Sequence, residues 1–507
     1  MEHTAQNPHC ARRRNILCAC LLLAYVLYNA SLLACHENWR DEAQAWLLAR
    51  DLSIPELFAQ MSCEGHPCLW HLLLMPLAKL GLPYVSMNVL SLTIMSVAAA
   101  LFLWKSPLPL PMKALALFGF GFSYYYPVIS RSYCLIPLFA FMMACFYPAR
   151  REKPLRYGLA IALMVQTHVI MLGMAAMASM VWLAEALAGY RRDRRRRALL
   201  MQGAGLALPL LSFVLLLLQL SAPQTSIAYT FDIRQVLTLP RRAVSELWGL
   251  FANLPAPLGG AILLLAAGVC IWALVRALRG REFGLLKPLL IAVFAALFQY
   301  AANVLIRTST GMRTISLFFV FLWACWVSWP GIGDQWLRRL MAVALVALEL
   351  FTYTRCADIF NDYRYPYSDA KNCAAFIRET LPSDTLFLEV NEARAASLLP
   401  YLPEDYVFYS PHDGEPVTFT TWSREHYERM DLQDHQDICD WALALDPDCE
   451  SVCLIVTSPY VAQEGDMLAA LEPYLTDETR LYRTSGPMVT NEGFSLYAIP
   501  IDADAGA

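Results

Sequence analysis

A succession of apolar runs constrains this chain more than any other feature. The clearest are 17–35, 84–104, 199–220, 259–275, 288–306, 315–329 and 340–353. A helix needs roughly 20 residues to cross about 30 Å of hydrocarbon, and fewer where protein neighbours shield it. Shorter runs broken by Pro or Gly lie at 113–128, 133–148, 155–167 and 169–188. Together they predict about 11 crossings. Helix is the form these crossings take, because lipid leaves an open strand edge unsatisfied. Apolar residues make up 57% of the 507 and charged residues 16%. That balance excludes a single soluble globule, a disordered chain and a nucleic-acid-coating protein.

Charge divides the chain in two. From Asp358 onward there are 28 acidic and 8 basic residues, a net of −20; the first 357 residues carry a net of +16. With the N-terminus in the cytoplasm, 21 basic residues fall in cytoplasmic loops, including the run RRDRRRR at 191–197. An odd number of crossings then places the acidic tail outside. The apolar stretch 68–82 is expected as an interfacial or re-entrant helix, since a crossing there would invert the arginine-rich loops. The first apolar run is followed by a charged loop and no small-x-small site, so it reads as a retained helix. With no retention signal visible, the expected location is the plasma membrane, multi-pass. The 15 cysteines are scattered and imply no disulfide framework.

The chemistry begins in the loop 36–83. CHENWRDEAQAWLLARD places Trp39, Ala43, Trp46, Leu47 and Arg50 on one helical face, as in a helix lying along the membrane surface. Asp41 and Glu42 sit in its first turns. SCEGHPCLWHLLL follows with Glu64, His66 and His71. Further along, Arg131 and Tyr133 stand at an outer helix start and His168 lies between two short apolar runs. Arg234, Arg241, Arg242, Arg307 and Arg313 also stand on the side where the charge rule predicts few cations. Each taken alone fits a solvated or snorkelling side chain. Ionisable residues at membrane helix ends are nonetheless functional candidates, and these share one side.

This pattern resembles the GT-C superfamily of membrane glycosyltransferases, in particular the branch of protein O-mannosyltransferases and aminoarabinose transferases. Asp41-Glu42 stands where that family has an acidic pair in its first outer loop. Residues 66–73 resemble its H/K-P-P-L-x-x-x-L segment, with Cys68 in place of the second Pro. Residues 130–135 resemble A-R-x-Y-x-L, with Ser130 for Ala, and Thr167-His168 resembles a T-H element. Of a late R-Y-x-x-P element only Arg313 is matched. The resemblance covers the first 190 residues or so and the remainder by topology.

The resemblance implies inverting transfer of a sugar from a polyprenyl-phosphate donor to an acceptor outside the cytoplasm. A base on the acceptor hydroxyl suits Asp41. Glu42 can position that base, strengthen it through like charge, or cap the helix. Arg131, Arg313 and Arg234 can hold the lipid phosphate. Tyr133 and His168 can contact phosphate or sugar. Glu64 and His66 can bind substrate, or form a divalent metal site with Asp41, since carboxylate and imidazole suit Mn or Zn. No cofactor is required by the motifs, and no nucleic-acid partner is expected.

The expected fold is therefore an α-helical polytopic membrane protein of GT-C type over 1–355, with a C-terminal α/β extracytoplasmic domain over 356–507. In that domain strands are expected at 385–390, 406–409, 452–457 and 494–499. Helices are expected at 371–380, 392–399, 423–445 and 462–474, and His412, His426 and His435 read as solvated. The competing reading is a transporter or flippase of a lipid-linked glycan, which would favour ionisable residues midway along helices and two-half repeats. Glu185 and Glu349 are the chief acidic residues near helix interiors, both close to predicted ends, and no repeat is evident. A plain membrane anchor would need far fewer crossings.

Overall fold

The computed structural model describes residues 8–221, 268, 271–272, 274–276, 278–280, 283–305, 311–352, 356–458 and 461–501. Arg234, Arg241, Arg242 and Arg307 lie outside the described residues, as does most of the run 259–275. The long helix α1 (Pro8–Cys35) is followed by three shorter ones, α2 (Arg40–Asp51), α3 (Ile54–Glu64) and α4 (Leu69–Lys79), and then by α5 (Ser86–Lys105). Next come α6 (Leu110–Leu117), α7 (Tyr126–Val128), α8 (Leu135–Phe146), α9 (Pro154–Val165), α10 (Leu172–Asp193) and α11 (Arg196–Leu220). Further along lie α12 (Phe283–Leu305), α13 (Gly311–Ser328) and α14 (Gln335–Thr352).

Among the described residues six helices are long and apolar enough to cross a membrane: Ala11–Cys35, Ser86–Lys105, Val169–Asp193, Arg196–Leu220, Leu285–Ala302 and Arg313–Gly331. Two shorter apolar helices accompany them, Ser132–Phe146 and Pro154–Val165. The chain is a multi-pass membrane protein. With 11 residues, α4 is too short to cross alone. The run 113–128 does not form one helix. It ends α6 at Leu117 and continues through a π turn, Gly121–Tyr125, into α7. Close packing accompanies the break: a Cβ on Gly119 would overlap the buried Glu349 carboxylate from α14.

The C-terminal part opens with α15 (Cys356–Arg364) and α16 (Ala370–Thr380) and is built on a six-stranded sheet. Its strands are β1 (Phe387–Val390), β2 (Phe408–Tyr409), β3 (Pro416–Val417), β4 (Ser451–Val456), β5 (Arg480–Arg483) and β6 (Ser495–Pro500), in the order β3-β2-β1-β4-β6-β5. Central β1 is parallel to β2 and β4, and the outer pairings are antiparallel. One sheet face buries Phe387, Phe408, Cys453 and Ile455 with Ala374 and Ile377 of α16. The other buries Leu388, Leu454 and Ile499 with Ile438 and Ala442 of α17 (His435–Leu445) and Met467 of α18 (Ala462–Ala470).

Several expectations change. The two-residue β3 and the edge strand β5 carried no strand signal that stood out in the sequence. The stretch 423–445 is not one helix. Arg424–Glu428 forms a single short turn of helix, residues 429–434 leave it, and α17 starts after the Asp434 N-cap. Arg429 and Asp431 pair with each other between the two. Nor is α2 an amphipathic helix with one open face. All its residues from Glu42 to Ala49 are buried. It packs on α4, and its Leu47 belongs to the same apolar cluster as Phe387 and Ile377 of the C-terminal part. Protein covers both faces of the helix, so no face is left for lipid. The histidines differ from expectation as well. His412 is buried against Glu464, and His426 is paired with Glu392, the two rings 5.1 Å apart. Cys18, Cys63, Cys68, Cys134, Cys373, Cys439 and Cys453 are among twelve free thiols.

Candidate active site

The sequence folds locally so that α2 begins at the rim of a cavity. Trp39 is its N-cap, and the Glu42 carboxylate reaches back to accept the Trp39 amide at 3.2 Å. This leaves Asp41, in the same first turn, facing the other way. Asp41 forms an ion pair with Arg131, and Arg40 Nε lies 3.6 Å from its second oxygen. Arg131 enters on an extended segment between α7 and α8, its guanidinium 5.7 Å from the centre of the Tyr133 ring. Glu42 fixes that segment too: its Oε1 accepts the Ser130 amide at 2.6 Å. Ser130 Oγ accepts from Asn88, which in turn exchanges hydrogen bonds with Asn38.

The cavity holds about 400 Å³ and is lined by Asp41, Glu64, His66, Arg131, Tyr133 and Arg313, among others. Six of the residues singled out in the sequence, drawn from four separate stretches of the chain, therefore share one space. Glu42 is not on its wall; it lies behind Asp41 and is fully buried. His168 is also set back. Its ring stacks on Tyr133 at 5.0 Å, and its Nε2 is 3.3 Å from the Tyr133 hydroxyl. Its Nδ1 accepts the Ile170 amide, so in the neutral ring the proton is on Nε2 and points to Tyr133.

Burial decides the state of the ionisable groups deepest in the cavity. It pushes the Glu64 carboxyl up to about 7, against the hydrogen bond from Gln44 and the nearby Arg131 charge. Burial, reinforced by Arg131, pulls His66 down to about 4. His66 is therefore a neutral ring at pH 7. It stacks on His71 at 5.4 Å, and burial holds His71 low as well. The sequence left Glu64 and His66 open to a divalent metal with Asp41. In the structure Asp41 is engaged by Arg131 and Glu64 by Gln44, and Glu64 and His66 approach only to 4.0 Å. Among the described residues no three His, Cys, Asp or Glu side chains are placed to hold an ion.

Several wall residues were not selected from the sequence. Gln44 Nε2 donates to Glu64 Oε1 and to the Thr420 carbonyl, both at 2.7 Å, and Gln44 Oε1 accepts the Thr420 amide. Gln60 donates to the Thr421 carbonyl. Thr420 and Trp422, both on the cavity wall, thus bring the C-terminal part to the site. Trp422 adopts a left-handed backbone, φ 57°, a conformation that costs a non-glycine residue about 1–3 kcal/mol. Gln44 carried a signal that helical spacing can show, one turn beyond Asp41. Thr420 and Trp422 carried none.

Among solved structures the chain resembles the apo crystal structure of ArnT from Cupriavidus metallidurans, with a TM-score of 0.54 over 96% of this chain and 98% of that one. The chain shares the ArnT fold. ArnT is an aminoarabinose transferase of the GT-C type, which agrees with the branch indicated by the sequence motifs. Identity is 14%, so the likeness is one of fold. A second structure of ArnT, bound to undecaprenyl phosphate, aligns over the same shares at 14% identity with a TM-score of 0.39. No family model matches the chain, and no curated protein does.

Proposed function

We propose that this chain is a membrane glycosyltransferase that moves a sugar from a polyprenyl-phosphate donor to an acceptor hydroxyl on the extracytoplasmic side. The observation that carries this reading is the Asp41–Arg131 pair on the wall of a cavity shared with Arg313, Tyr133, Glu64 and His66. A carboxylate and two guanidinium groups in one half-enclosed space supply what displacement of a phosphate from an anomeric carbon needs. The topology that goes with it has about 11 crossings, a cytoplasmic N-terminus, and the C-terminal domain, from 356 onward, outside.

In the reaction Asp41 takes the proton of the acceptor hydroxyl. The acceptor oxygen bonds to the anomeric carbon from the face opposite the phosphate. The carbon–oxygen bond to phosphate breaks, and its electron pair stays on the phosphate oxygen. Arg131 and Arg313 neutralise that charge. The products are the inverted glycoside and polyprenyl phosphate, and Asp41 returns its proton to water. The resting Asp41–Arg131 pair suggests an order of events. The donor phosphate competes for Arg131, so the base is freed when donor is present. Glu42 acts behind Asp41 as a positioning residue. Tyr133, oriented by His168, together with Glu64 and His66, contacts the donor.

The test uses purified full-length chain in nanodiscs, a panel of polyprenyl-phosphate sugars, and an acceptor extract. The anomeric configuration of the product is read by NMR. Transfer from one lipid donor with inverted configuration is expected. Retained configuration would remove the single-displacement mechanism. Transport of intact lipid-linked glycan across the bilayer without cleavage would favour the flippase.

A further inference from the structure

Directly behind the Asp41–Arg131 pair lies a chain of buried polar groups of which the proposed reaction uses only Glu42. His36 follows the end of α1, and its side chain has no exposed surface. Its Nε2 is 3.2 Å from Glu42 Oε2, and its Nδ1 is 2.9 Å from Asp362 Oδ2. Asp362 belongs to α15, the helix that leads into the C-terminal sheet, and its side chain is 1% exposed. The same Asp362 oxygen accepts the Tyr124 hydroxyl at 3.0 Å. Tyr367 closes the site with its ring edge-on to the imidazole at 4.6 Å.

A ring with a carboxylate on each nitrogen can donate to both only when it carries both protons. Neutral His36 would turn one of its nitrogen lone pairs toward a buried carboxylate, which costs more than the hydrogen bond gains. Burial opposes the charge, but Glu42 and Asp362 outweigh it and raise His36 to about 10. The ring is therefore a fixed cation across the physiological range. It bridges two carboxylates far apart in the sequence, Asp362 lying 326 residues from His36. Through Glu42 the connection reaches the Ser130 amide, next to Arg131.

We infer that His36 is a positioning residue: as a doubly donating imidazolium it locks Glu42, and with it the Ser130–Arg131 segment, to the helix that enters the C-terminal domain. The lock makes the placement of Arg131 opposite Asp41 depend on the seating of α15. Its catalytic consequence rests on the proposed role of Asp41 and Arg131; its structural consequence does not.

The experiment compares wild type, His36→Gln, Asp362→Asn and the double variant as full chains in nanodiscs. Amide hydrogen exchange is measured by mass spectrometry, and donor cleavage in a single turnover. His36→Gln keeps a neutral donor but cannot bridge both carboxylates. It should speed exchange at 39–43, 129–131 and 359–364 together, by about tenfold or more, with α10 and α11 unchanged. Donor cleavage should fall by about tenfold or more while polyprenyl-phosphate affinity moves less. Asp362→Asn keeps an acceptor for both partners and should show a smaller change in the same segments. The double variant should resemble His36→Gln alone, because both substitutions break one network. Unchanged exchange around Ser130 in folded His36→Gln, or additive effects in the double variant, would overturn the lock. If wild type shows no Asp41-dependent cleavage, the proposed function fails, and the exchange result still decides the lock.

Discussion

At the residue scale, burial governs the candidate site. Glu64 lies beneath Gln44 with its carboxyl raised to about 7, so it gains or loses its proton near working pH. Its folded-state value lies above the ordinary one, so the folded protein binds more protons in that window. Stability from this group is therefore fully present below the ordinary carboxylate range and is lost as pH rises through about 7. Donor binding should follow the same sign. On the proposed function, ionised Glu64 would add negative charge beside the donor phosphate, so donor KM should rise several-fold between about pH 6 and 8. Glu64→Gln, which stays neutral, should flatten that profile. Steady-state kinetics over the same range check it, and an identical rise in Glu64→Gln would assign the titration to another group. Much of this site was legible in the sequence. Asp41, Glu64, His66, Arg131, Tyr133 and Arg313 all flank apolar runs on one side, and the membrane leaves such residues few places to go. The Gln44–Thr420 and His36–Asp362 contacts were not legible, because each spans more than 300 residues, even though Gln44 itself stands at helical spacing from Asp41.

At the element scale, lipid sets the length of the long helices, which is why their runs stood out in the sequence. The shorter ones depend on contacts that the sequence shows less clearly. α9 has only 12 residues, and it packs against α11 at a point where two glycines meet. A Cβ on Gly158 would overlap the Gly205 carbonyl oxygen, and backbone cannot swing aside as a side-chain tip can. Small residues permit this approach in membrane helices. Gly158→Ala should force the two helices apart and cost about 1–3 kcal/mol. In a detergent thermal-stability assay it should melt several degrees lower, whereas Gly203→Ala, which meets nothing within 4 Å, should not. Equal melting of the two variants would show that the crossing relaxes at no cost. The burial of α2 was hidden for a related reason. Its amphipathic spacing showed one apolar face, and its second cover comes from residues far along the chain.

At the scale of the whole molecule, the charge division foreshadowed the architecture: an apolar, basic body of helices and an acidic part built on a sheet. Nothing in the sequence showed that the acidic part reaches into the cavity through Thr420 and Trp422, or that it is tied to the start of α2 through Asp362 and His36. Body and C-terminal part are thus expected to work as one unit, in which the body brings the carboxylate and cations and the C-terminal part closes over them. In the proposed mechanism Asp41 is the base for sugar transfer from a lipid phosphate bound at Arg131. The most direct measurement is single-turnover cleavage of the lipid donor, with polyprenyl-phosphate binding measured in parallel, for wild type, Asp41→Asn and Arg131→Gln. Asp41→Asn should bind the lipid at least as tightly as wild type, because Arg131 loses its resting partner, yet cleave donor at least about a hundredfold more slowly. Arg131→Gln should bind less tightly. Cleavage by Asp41→Asn within a few-fold of wild type would remove Asp41 as the base.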